Sequence, residues 1–214
     1  MIRFTRFTGR AALALALAAP LASANAQQSP QQQISVSNTQ AVIQSLGNAR
    51  TSDPTLTADL LRQMANDAVT QNQPLGLNKS AIRQRLDRLS QLTVQIQFAL
   101  NSAIIRPKSY ETLGAIADAL HHPVLRNFRF VVVGNTDTTG TRAHNLRLSQ
   151  ERAQAITQAL VTLFKISPDR LEAVGLGQEA LQVPQRPEDP INRRVQIFNI
   201  GSLGPTGVTN NPRN

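Results

Sequence analysis

Cysteine and tryptophan are absent from the 214 residues, only 4% are aromatic, and two of the three histidines are the adjacent His121 and His122. Without cysteine there is neither a disulfide framework nor a thiolate zinc site. Nor does any thiol follow the N-terminal apolar segment, so an acceptor for a bacterial lipid anchor is lacking. His121 and His122 have no further His or Cys at metal-ligand spacing, so a role at a helix end is expected of them, with no metal and no cofactor. Few rings also means few platforms on which single-stranded nucleic acid could stack. The N-terminal apolar run, Ala11 to Ala22, spans about 12 residues where a membrane-crossing helix needs about 20.

Acidic residues are the scarcer charge, 13 against 22 Lys and Arg, for a net +9. Three of those arginines, Arg3, Arg6 and Arg10, precede the apolar run, and the small residues Ala24 and Ala26 follow it. That is the layout of a secretory signal over residues 1–26, so export through a membrane and cleavage near Gln27 are expected, with no transmembrane segment afterwards. Without the signal 19 basic residues face 13 acidic ones, about +6. The remaining arginines are scattered, which does not suit nucleic acid as a partner.

Gln27 to Gln40 reads QQSPQQQISVSNTQ, polar and without an apolar stripe, so residues 27–55 are expected to be a linker. Residues 56–92 carry two helical patterns, Leu56, Leu60, Leu61 and Met64, then Ile82, Leu86 and Leu89, separated by NQPLGLN. Arg83, Arg85 and Arg88 suit a solvated face of the second. This lead-in could pack on the following domain, pair with a second copy, or, over residues 34–92, bind an envelope protein. Roughly 65 residues between signal and first strong strand cannot hold eight membrane strands of about 9–11 residues each, so no barrel is expected.

From Thr93 the period becomes two, with Val94, Ile96 and Phe98 on one face. A second strand is expected over FRFVVVG, Phe128 to Gly134, a third near Leu171 to Val174, and a last from Arg193 to Ile200. Pro107 suits the first turn of a helix carrying Leu113, Ile116, Ala117 and Leu120, and Pro123 ends it. A longer helix is expected from Arg142 to Phe164. The order β-α-β-α-β-β points to an α+β, two-layer α/β sandwich over residues 93–201: a mixed sheet with helices on one face. Residues 202–214 read as a disordered tail.

Chemistry concentrates in GNTDTTGTRAHNLRLSQERAQAI, Gly134 to Ile156. On a helix Asn145, Leu148, Ser149, Arg152, Ile156 and Leu163 share one stripe, and its N-terminal half is polar where aliphatic residues would be ordinary. Buried polar groups demand partners. Asp137, at a strand end, can point across the helix start towards Arg152. Together a carboxylate and a guanidinium could hold the two charges of a zwitterion, with the helix N-terminus adding donors. Alternatively the two side chains pair with each other or cap turns.

NTDTTG, then NLRLSQERA, then NRRV at Asn192 to Val195, preceded by VQIQFALNSA at Val94 to Ala103, resemble the OmpA-like C-terminal domain. The resemblance covers about Thr93 to Gly201. It implies non-covalent, non-enzymatic binding of peptidoglycan in the periplasm of the bacterial cell envelope, in association with the outer membrane, with Asp137 and Arg152 on the diaminopimelate side chain of the stem peptide. It further implies that Asn101, Thr139, Asn145 and Arg193 contact the ligand or support the pocket. Asn135 stands where the family usually has His, and it can replace the hydrogen bonds of a neutral imidazole but not its titration.

Other chemistries fit less well. Asp137, His144 and Ser149 are the residue types of a hydrolytic triad, and Asp137 with Glu151 could be paired carboxylates of a peptidoglycan hydrolase. His144 and Ser149, five apart on a helix, point in different directions, and no nucleophile turn is evident. GLGQEA at Gly175 to Ala180 satisfies G-x-G-x-x-A, but prolines 184, 187 and 190 replace the helix a dinucleotide site requires, so a glycine turn is expected.

Overall fold

The computed structural model describes residues 38–47, 56–72 and 81–203. The expected signal, the tail beyond Leu203, Ile82 and Arg83 as side chains, and much of 27–55 lie outside the described residues. What is described of 27–55 corrects the linker expectation. Helix α1 (Thr39–Gly47) buries Val42, Ile43 and Leu46, three apolar residues too closely spaced to stand out in a glutamine-rich segment. Two more lead-in helices follow, α2 (Ala58–Thr70) and α3 (Ala81–Arg88). Thr57 caps α2, its hydroxyl accepting the Leu60 N–H at 3.1 Å.

Four strands, β1 (Gln91–Val94), β2 (Phe128–Asn135), β3 (Leu171–Gly177) and β4 (Val195–Ser202), form one sheet in the order β1-β4-β2-β3. β2 and β3 run parallel, and β4 is antiparallel to both of its neighbours. Helices α4 (Ser109–His121) and α5 (Arg142–Thr162) make the crossovers. Pro107 lies one turn ahead of α4, its carbonyl accepting the Tyr110 N–H, and Pro123 follows the extended C-cap His122.

Alternation in the strands separates two cores. On one face Phe130, Val132 and Ile197 meet Leu113, Ile116 and Leu120 of α4, Ile156 and Leu160 of α5, and the apolar side of α1. The two crossover helices therefore share a face, as expected. Val131, Val133, Val174, Leu176 and Phe198 point the other way and are covered by Leu56, Leu61, Ala65, Leu86 and Leu89. The lead-in thus packs on its own domain and adds a third layer to the sandwich.

Two glycines let α5 lie directly on the sheet. A Cβ on Gly134 would stand 2.3 Å from the Ser149 carbonyl oxygen, and one on Gly175 2.4 Å from the Gln150 nitrogen. The same helix closes the outer edge of β3. Gln150 Oε1 accepts the Gly175 N–H at 2.7 Å and Ser149 Oγ the Gly177 N–H at 2.8 Å. The Ala173 carbonyl accepts from Gln150 and from Arg62 of α2. An edge satisfied in this way offers little to another strand. At the opposite end, buried Arg170 donates to the carbonyls of Leu120, Leu125 and Phe128, tying the last turn of α4 to the start of β2.

Several boundaries differ from expectation: the last strand runs Val195–Ser202 rather than Arg193 to Ile200, and the third extends past Val174 to Gly177. The first strand leaves the ladder after Val94, because the Ser109 hydroxyl takes the Gln97 N–H and Phe98 forms only an isolated bridge to Ile105. Leu163, placed on the buried stripe, is the C-cap of α5 and is exposed.

Candidate functional site

β2 delivers Asp137 to the C-terminal end of the sheet. After Asn135 the chain stays paired, Thr136 N–H donating to the Gly177 carbonyl at 2.8 Å and Thr138 N–H to the Pro187 carbonyl at 3.2 Å. Asp137 is 5% exposed, with Oδ1 accepting the Thr139 N–H at 2.9 Å and Oδ2 the Arg193 guanidinium at 2.5 Å. Thr141 caps α5, its hydroxyl accepting the His144 N–H. One turn into that helix, buried Asn145 donates from Nδ2 to the Asp137 carbonyl and to Gln178 Oε1. Two turns further on, Arg152 donates from Nε to the Ser102 carbonyl at 3.0 Å and lies over the Phe98 ring at 4.9 Å.

Asp137, Arg152, Asn101, Thr139, Asn145 and Arg193 all line one cleft of about 680 Å³. Asp137 is the only carboxylate among the lining residues, against Arg106, Arg152 and Arg193. Its direct partner is Arg193, so the alternative in which Asp137 and Arg152 pair with each other is not the arrangement formed: the strand end faces the loop before β4. Burial and the Arg193 charge hold the Arg152 guanidinium below its ordinary pKa, and Asp137 acts in the opposite sense. Its Nη groups have no hydrogen-bond partner among the described residues. The cleft therefore holds one ion pair, Asp137 with Arg193, and two guanidiniums, Arg106 and Arg152, each bonded through Nε to a backbone carbonyl, which suits an ampholyte that brings a carboxylate.

The family model for the OmpA family matches residues 97–194. Over 134 residues the chain is 32% identical to the peptidoglycan-associated lipoprotein of Pseudomonas putida, which covers 61% of this chain and 78% of that protein. The chain belongs to the OmpA family. It is also 31% identical over 105 residues to outer membrane porin F of Pseudomonas fluorescens, 48% of this chain and 31% of the porin. The crystal structure of the peptidoglycan-associated lipoprotein from Burkholderia pseudomallei is 27% identical, with a TM-score of 0.42, over 64% of this chain and 98% of that one. The chain thus spans most of the lipoproteins but under a third of the porin. The OmpA family match encloses every residue that lines the cleft except Gln95 and Ile96, which follow β1.

Other sequence-level candidates have ordinary roles. Ser149 is fully buried, donating to the Leu146 carbonyl while accepting from Gly177, so it cannot act as a nucleophile. His144 bonds Asn101 Oδ1 through Nε2 at 2.8 Å, and Glu151 faces Arg147. His121 contacts the Phe164 carbonyl, and His122 accepts the Val124 N–H. Gly177 takes the left-handed φ of 52° that the GLGQEA turn calls for. Asn135 uses Nδ2 towards Gln196 and leaves Oδ1 buried without a partner.

Sequence reasoning passed over Asn192. Fully buried, it accepts the N–H groups of Gln182 and Val183 on Oδ1 and donates from Nδ2 to the carbonyls of Arg186 and Pro187. It folds the loop whose Pro187 carbonyl holds Thr138, beside Asp137. Its place in the NRRV block, next to Arg193, was the available signal. Phe98 and Ser102, which fix Arg152, lie in the VQIQFALNSA block, but nothing in that block points to Arg152.

Proposed function

We propose that this chain is a non-catalytic peptidoglycan-binding module that holds the diaminopimelate of the stem peptide and so helps to anchor or organise the bacterial cell envelope. The observation that carries the reading is Arg152, a part-buried guanidinium without a carboxylate partner, facing a cleft whose one acid is already neutralised. A diaminopimelate side chain brings a carboxylate and an ammonium on one carbon. The carboxylate meets Arg152, and the ammonium meets the lone pairs that Asp137 retains after Thr139 and Arg193 have bonded. Asn101 and Thr139 stand at the rim, and Asn145 and Arg193 hold the Asp137 loop. The relatives, a peptidoglycan-associated lipoprotein and an outer membrane porin, support the envelope as the setting. The signal layout supports export to the periplasm.

Co-sedimentation with purified sacculi tests this. Wild type is expected to pellet, and the Asp137→Ala, Arg152→Ala double variant to stay in solution. Losing one charge-assisted contact costs about 1.5–3 kcal/mol, a weakening of tenfold or more. Equal pelleting of the two would remove the assigned site, and release of soluble muropeptides by the wild type would favour a hydrolase.

A further inference from the structure

Resting on that reading of the cleft, we propose that Leu100 extends recognition from the diamino acid to its alanine neighbour in the stem peptide. Leu100 lines the cleft yet is 93% exposed, the most exposed large apolar side chain among the described residues. It sits on a tight hairpin, not a loose loop. Ala99 N–H donates to the Ile104 carbonyl at 2.8 Å, Ile104 N–H to Ser102 Oγ at 3.0 Å, and Phe98 bridges Ile105. Helix α5 pins the hairpin twice, through His144 on Asn101 and Arg152 on the Ser102 carbonyl. Asn101 holds a left-handed φ of 49°, a conformation uncommon outside glycine.

The residue that anchors Arg152 is thus on the same turn as Leu100, and a ligand seated on Arg152 has its next residue at the rim. Leu100 offers only apolar surface, and that matches an alanine methyl group. Because the hairpin is fixed before binding, little ordering entropy opposes the contact. Covering about 40 Å² of apolar surface at about 25 cal/mol per Å² is worth roughly fivefold in affinity. Ile104, 70% exposed on the same hairpin, lines a separate groove with Tyr110 and Leu163 and serves as the control.

Calorimetric titration with free meso-diaminopimelate and with a peptide in which diaminopimelate is followed by D-alanine tests the proposal. Wild type is expected to prefer the peptide. Leu100→Ser should weaken the peptide about fivefold and leave free diaminopimelate unchanged, while Ile104→Ser should change neither. A Leu100→Ser variant that keeps the wild-type preference, or weakens both probes equally, overturns the role of Leu100 alone. Wild type that binds neither probe overturns the reading of the cleft and this inference with it.

Discussion

Gly134→Ala puts a methyl group where α5 touches the sheet. The added Cβ would stand 2.3 Å from the Ser149 carbonyl oxygen, 3.0 Å from its carbon and 3.4 Å from its Cα, all backbone atoms. An unstrained contact lies near 3.4 Å, so the helix must retreat by about 1 Å, and no side-chain rotation relieves it. Overpacking of this kind costs about 1–3 kcal/mol. The retreat also stretches the Gln150 and Ser149 bonds to β3, at about 1 kcal/mol each. A total near 4 kcal/mol lowers the melting temperature by about 10 °C for a chain of this size. Gly114→Ala in α4 is the control, because its Cβ meets only the Phe164 ring at an ordinary 3.6 Å; there alanine should raise stability by about 0.5–1 kcal/mol. Thermal melts followed by circular dichroism, with urea midpoints, measure both. If Gly134→Ala melts within about 2 °C of wild type, α5 is not seated on β2 as described and the position of Arg152 loses its basis.

Arg170→Met keeps the apolar stem but strands three carbonyls at the end of the sheet away from the cleft, and should cost about 3 kcal/mol in urea denaturation with ligand affinity unchanged. Asn192→Ala removes four hydrogen bonds inside the 182–187 loop. It should cost about 2–3 kcal/mol and also weaken binding in calorimetry, because Thr138 next to Asp137 is held by that loop. Wild-type affinity in Asn192→Ala would separate the loop from the site.

β2, β3, β4, α4 and α5 were legible because their signals are local. A β-branched run, a period of 3.6 and flanking prolines each act within a few residues. The choice of Asp137 and Arg152 was legible from polar residues on a core stripe together with the family blocks. The pairing of Asp137 with Arg193, 56 positions away, was not, since several arginines can reach a strand end and only the packed fold selects one. α1 was missed for a related reason: a nine-residue helix has little intrinsic stability, and burial against α4 and β1 decides it. The early end of β1 depends on a hydroxyl on α4, Ser109, that competes for Gln97. Asn192 escaped because its four partners lie in a proline-rich loop without periodicity.

In the proposed function Arg152 provides the charge that receives the ligand. Arg152→Gln tests it most directly, because the same substitution relieves a guanidinium disfavoured by burial and by Arg193. Titration of wild type and Arg152→Gln with meso-diaminopimelate, alongside their thermal melts, should show affinity falling by tenfold or more while stability stays within about 1 kcal/mol of wild type. Unchanged affinity in a folded Arg152→Gln variant would show that the ligand does not bind through Arg152.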